Sequence, residues 1–144
     1  MRFNVSVSTA WLTVVLFAAI INTSCGSSRS PTASSDPYAG NWSGSILDEV
    51  TGAGTVKFGL VAQPGSGVVG TWAATFPDPS INEGGTVAAT VALVPVQFTL
   101  GCTQTAVRGA AIVAMTINGN RMNGTYGAVG CTALRRGSLE VTKQ

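Results

Sequence analysis

From residue 41 onward the chain is dominated by a period of two, and this constrains its fold more than any other feature. In TVKFGLVAQ, Val56, Phe58, Leu60 and Ala62 share one face, while Thr55, Lys57 and Gln63 share the other. VVGTWAATF sets Val68, Trp72, Ala74 and Phe76 against Thr71 and Thr75. GTVAATVAL sets Val87, Ala89, Val91 and Leu93 against Thr86 and Thr90, and VPVQFTLGC sets Val96, Phe98, Leu100 and Cys102 against Gln97 and Thr99. Such alternation belongs to antiparallel strands with one face buried and one face wet. Turn residues punctuate the runs: QPGSG, PDPSINEGG and INGN, the last placing Asn118 and Gly119 as the centre of a tight hairpin. RGAAIVAMTI is alanine-rich, but Ile112, Val113 and Ile117 are β-branched and the Asn-Gly pair closes it, so it also reads as a strand.

The count is eight strands, beginning near residues 41, 55, 68, 85, 95, 108, 120 and 137. Eight short strands joined mostly by hairpin-length links predict an all-β domain, an eight-stranded antiparallel up-and-down β-barrel over residues 38–144. A barrel of eight strands is just wide enough to be filled by its own side chains or to hold one small ligand.

The chain before the barrel has a different grammar. A single cation, Arg2, precedes an apolar run from Ala10 to Ile21, the layout of a secretory signal. INTSC (residues 21–25) resembles the lipobox of bacterial lipoproteins, with Thr23 and Ser24 ahead of Cys25 and Asn22 where the family usually has an aliphatic residue. The resemblance implies a signal peptide over 1–24, lipid on Cys25, and a Ser/Pro/Thr-rich tether over 25–37. It implies a bacterial cell envelope, with membrane contact through that lipid. Gly26 stands where an aspartate would retain a lipoprotein at the inner membrane of enteric bacteria, which points to the outer membrane. The rival is ordinary cleavage near Gly26, giving a secreted or periplasmic protein. Of three cysteines, lipidation would use Cys25 and leave Cys102 and Cys131 to pair in an oxidising compartment.

Catalytic chemistry finds little support. The chain has no histidine, which removes the commonest general base and the commonest metal ligand. Asp48 and Glu49 are adjacent and point to opposite faces of a strand, and Asp78, Glu83 and Glu140 read as solvated loop and edge charges. Two cysteines without histidine or CxxC spacing predict no metal site, and no cofactor is expected. With the signal removed, seven basic residues face six acidic ones, which gives no basic stripe for nucleic acid.

GNWSG (Gly40–Gly44) echoes in GTWAA (Gly70–Ala74) and GTYGA (Gly124–Ala128). On a strand the glycine and the aromatic residue two places later share a face, so each glycine leaves room for a close approach, with a neighbouring ring as the natural candidate. Trp42, Phe58, Trp72, Phe98 and Tyr126 are therefore candidate core or ligand-lining residues.

The Gly-x-Trp that opens the first strand, followed by eight strands, resembles the calycin group of lipocalins, avidins and related small barrels. It also resembles bacterial lipoproteins that repeat GTW or GTY and close with a cysteine before the last strand. The lipocalin likeness implies that Gly40 and Trp42 close one end of the barrel beneath a cation from the final strand, for which Lys143 is the geometrical candidate. Two functions are carried forward, both for a monomer and neither enzymatic. One is a carrier or sensor of a small hydrophobic ligand. The other is an envelope structural or interaction module with a solid core, acting through its rim loops at Pro77–Gly85 and Cys131–Gly137.

Overall fold

The computed structural model describes residues 36–65, 67–91, 94–102 and 109–144. Cys25, the signal peptide and nearly all of the tether lie outside the described residues, as do Leu93 and Arg108. Eight strands run in sequence: β1 (Gly40–Asp48), β2 (Gly52–Gln63), β3 (Gly67–Thr75), β4 (Glu83–Thr90), β5 (Val96–Cys102), β6 (Gly109–Asn118), β7 (Arg121–Val129) and β8 (Arg136–Lys143). Each pairs antiparallel with its sequence neighbour, and β8 returns to β1 to close the barrel. In that closing ladder Trp42 faces Lys143 and Asp48 faces Gly137.

Alternation sets which side chains turn inward. Trp42, Ile46, Val56, Phe58, Leu60, Val68, Trp72, Phe98, Val113, Met115, Met122, Leu139 and Val141 are all buried, while their polar neighbours Asn41, Ser45, Lys57, Thr71 and Thr99 face solvent. A single-residue slip of any strand would exchange these sets, so the apolar pattern fixes the register. From Gly109 onward RGAAIVAMTI is strand, with Ala111, Val113 and Met115 fully buried on its inner face.

Closing eight strands into a narrow cylinder requires sharp local coiling, and here the glycines act differently from the expectation. At Gly70 a β-carbon would lie 1.8 Å from the carbonyl oxygen of Gly59, and at Gly124 it would lie 2.3 Å from that of Ala114. The vacant space is taken by the backbone of the adjacent strand, not by the ring two residues on. The β6–β7 hairpin is also shifted by one residue. Asn118 pairs with Arg121, so the turn residues are Gly119 (φ +60°) and Asn120, and Asn118 remains in the strand.

Candidate functional site

The five aromatic residues singled out in the sequence converge inside the barrel. Trp42, Phe58, Trp72, Phe98 and Tyr126 are 1%, 2%, 3%, 0% and 4% exposed. A void large enough for a ligand would expose the side chains that line it, so these values describe a packed interior. The polar atoms of the rings are also committed. Trp42 Nε1 donates to the Tyr38 carbonyl at 2.8 Å, Trp72 Nε1 donates to that of Gly101 at 3.0 Å, and Tyr126 Oη donates to Asp48 Oδ2 at 2.8 Å. None of the three is left over to orient a guest.

Grooves occur on the outside of the wall. One of about 730 Å³ runs over Gly127 and Gly137, between Leu47 and Arg136. Another of about 460 Å³ lies between Gln63, Val69, Ala88 and Gln97. Both are open troughs between outward-facing side chains.

Each end of the barrel is sealed. At the end where β1 begins, Tyr38 lies across the mouth and meets Phe98 of β5 with ring centroids 5.8 Å apart. Asp36 fixes this segment by accepting the Tyr38 N–H at 2.9 Å. Lys143 places its ammonium 5.3 Å from the centre of the Trp42 ring and donates to the Pro37 carbonyl at 3.3 Å. Gly40 (φ +129°) makes room for that lysine, since a β-carbon there would sit 2.7 Å from Lys143 Cε. The arrangement is a cation resting on an aromatic face.

The other end is sealed by the loop between β7 and β8. Cys131, Ala133 and Leu134 turn inward, 2%, 1% and 0% exposed, while Thr132, Arg135 and Arg136 remain outside. Three attachments hold this plug. Cys102 and Cys131 form a disulfide that joins the end of β5 to the loop. Glu83 accepts the Thr132 N–H on Oε1 at 3.0 Å and the Ala133 N–H on Oε2 at 2.9 Å. Asp48 accepts the Arg135 N–H and the Tyr126 hydroxyl on Oδ2, both at 2.8 Å, and the Val50 and Thr51 N–H groups on Oδ1 at 2.9 and 3.1 Å. The Thr51 hydroxyl adds a further bond to the Ala133 carbonyl.

This corrects the expectation that the acidic residues are solvated. Asp48 and Glu83 are each only 2% exposed and are the buried charged residues of the described barrel. A buried carboxylate is tolerable only when its oxygens are satisfied, and the loop supplies the N–H groups. Burial pushes the Asp48 carboxyl up, but the hydrogen bonds from Arg135, Val50, Thr51 and Tyr126 outweigh it and hold it below the usual carboxylate range. Burial, reinforced by the Asp48 carboxylate, raises Tyr126 far above an ordinary phenol. Glu49 points outward beside Asp48, as adjacent strand residues must.

Sequence reasoning missed Tyr38, Leu134 and the roles of Asp48 and Glu83. A partial signal existed for Asp48, because it stands at an inward position in the alternation of β1. No family model matches the chain, and neither curated proteins nor solved structures give a match.

Proposed function

We propose that this protein is a non-catalytic, lipid-anchored envelope module built on a calycin-like barrel with a solid core, working through its outer surface. The observation that carries this reading is the packed interior: the five aromatic residues offered as a ligand wall are at most 4% exposed. A small-molecule carrier needs a concave apolar space with a few polar groups free to orient the guest. Here the rings fill that space and their donors are bonded to the protein.

The geometry also favours one end as the working surface. Residues 36–40 enter the barrel beside Lys143, so a lipid anchor on Cys25 in a bacterial outer membrane would pull on that end. The opposite rim carries the exposed Asp78 and Ser80 of the β3–β4 connection, with Arg135 of the plug loop, Arg136 at the start of β8 and the exposed Val50. Its β3–β4 connection is held by hydrogen bonds of its own. Asp78 caps Ser80 at 2.9 Å, and Asn82 ties back to the Phe76 N–H at 2.8 Å. Stiff polar loops around a few apolar residues suit protein contact, since little order is lost on binding.

Titration with a polarity-sensitive hydrophobic dye tests the reading. Tryptophan emission should show no saturable quenching, and the dye should not brighten. One-to-one quenching of Trp42 and Trp72 would overturn the solid-core module in favour of a carrier. Mass analysis of the N-terminus tests the anchor separately, with lipid on Cys25 expected and an unmodified N-terminus downstream of it contradicting the proposal.

A further inference from the structure

The plug loop brings together three groups that the sequence keeps far apart. Glu83 at the start of β4, Cys102 at the end of β5 and Cys131 in the loop place a carboxylate oxygen and two sulfur atoms within 4.8 Å of one another, all buried. Sequence spacing predicts no metal site from two cysteines, and the missing ligand is the one the fold supplies. We propose that this cluster is a redox-gated cation site. Oxidised, it is a disulfide cross-link; reduced, it binds a thiophilic divalent cation such as Zn²⁺ through Cys102 Sγ, Cys131 Sγ and Glu83.

The chemistry suits that ion, because thiolates and carboxylates are both ordinary zinc ligands and three protein ligands leave a fourth position for water. Glu83 is already oriented for the role. The Thr132 and Ala133 N–H groups each engage one of its oxygens, and each oxygen keeps a second lone pair. Hydrogen bonds of this kind to a ligating carboxylate are the usual outer support of a metal site. The single ion pair among the described residues joins Arg121 to Glu140 on the outer wall, so within them no cation accompanies the Glu83 carboxylate. A bound cation would supply one.

The steps balance. A dithiol reductant exchanges with the disulfide, becoming a cyclic disulfide itself and leaving Cys102 and Cys131 as thiols. The divalent cation then displaces both thiol protons to solvent, giving two metal–thiolate bonds. Cys131 stays tethered to Cys102, now through the metal, so the loop keeps its anchor in either redox state.

The test uses the full chain carrying Cys25→Ser, which removes the one other thiol. Protein reduced with a dithiol and freed of reductant without oxygen is titrated with Co²⁺. One equivalent should bind, with the visible bands of a tetrahedral site and a sulfur-to-cobalt charge-transfer band, and Zn²⁺ should abolish both. Two protons should be released per metal, and Zn²⁺ should raise the melting temperature of the reduced protein and shield both thiols from alkylation. The oxidised protein should show none of this. Glu83→Gln should weaken binding roughly tenfold or more. The proposal fails if the reduced parent gives no tetrahedral spectrum. It fails equally if the same affinity persists in denaturant, or if a folded Glu83→Gln binds as tightly as the parent. Should that variant not fold, proton release and thiol protection in the parent decide the matter.

Discussion

At the Lys143 end the seal is aromatic and drawn from a few chain positions: Asp36, Tyr38, Gly40 and Trp42 in one short run, met by the last strand. At the disulfide end it is polar and assembled from far apart, with Asp48, Glu83, Cys102 and Tyr126 converging on the loop at 131–135. Both ends exclude water from the same core, yet they should fail under different conditions. Ring packing is indifferent to electrons, and the titrating ring at that end, Tyr38, has its phenol held above the ordinary value by burial and by Asp36, so it responds only to alkali. A seal that includes the Asp48 carboxylate and a disulfide responds to both.

The largest effect should come from Asp48→Ala. It strands the buried Tyr126 hydroxyl and takes the acceptor from three part-buried backbone N–H groups, at about 1–3 kcal/mol for each group that finds no water. We expect a loss of at least about 3 kcal/mol in denaturant unfolding. A loss below about 1 kcal/mol would show that the polar seal is not needed.

Reduction of the Cys102–Cys131 disulfide should come next. The chain-entropy account gives about 3.6 kcal/mol for a 29-residue separation. Free thiol should be undetectable before reduction. Equal stability of the oxidised and metal-free reduced forms would remove the disulfide from the comparison.

Acid separates the two ends further. The folded-state pKa of Asp48 lies below its unfolded value, so its contribution is complete above the ordinary carboxylate range. It is lost as pH falls through the lower folded value. Stability should therefore decline below about pH 4, and Asp48→Asn should flatten that decline. Tyr126 runs the opposite way. Its raised pKa stabilises the fold in full below the ordinary phenol value and is lost as pH rises beyond it. Tyr126→Phe should blunt alkaline unfolding measured by circular dichroism.

The smallest effect belongs to the aromatic end. Lys143→Met keeps most of the stem over Trp42 and removes the charge together with its exposed hydrogen bond to the Pro37 carbonyl, at about 0.5–1 kcal/mol. The loss caused by this substitution should be the same with and without reductant, measured by thermal unfolding. A larger loss would mean that the lysine, rather than the rings, seals that end.

The same contrast explains what could be read from the sequence. Strand starts at 41, 55, 68, 85, 95, 108, 120 and 137 fall within three residues of the observed ones, because alternation and turn residues are local properties. Lys143 could be placed near Trp42 because closing an antiparallel barrel sets the end of β8 beside the start of β1. The plug loop could not be read this way. Whether a carboxylate is buried depends on which N–H groups arrive beside it, and those of Thr132, Ala133 and Arg135 come from 49, 50 and 87 residues away. Tyr38 escaped for a similar reason, since its partner Phe98 lies across the barrel. The glycines of the Gly-x-aromatic echo share a strand face with their rings, but the space at Gly70 and Gly124 belongs to neighbouring backbone and that at Gly40 to Lys143, which periodicity does not reveal.

The central claim is that two unlike seals enclose a core with no room in it. A crystal of the protein under xenon pressure tests this directly, because xenon enters dry apolar cavities that water does not occupy. The account predicts no xenon in the barrel interior lined by Trp42, Trp72, Phe98 and Tyr126. An ordered xenon atom among those four side chains would contradict it.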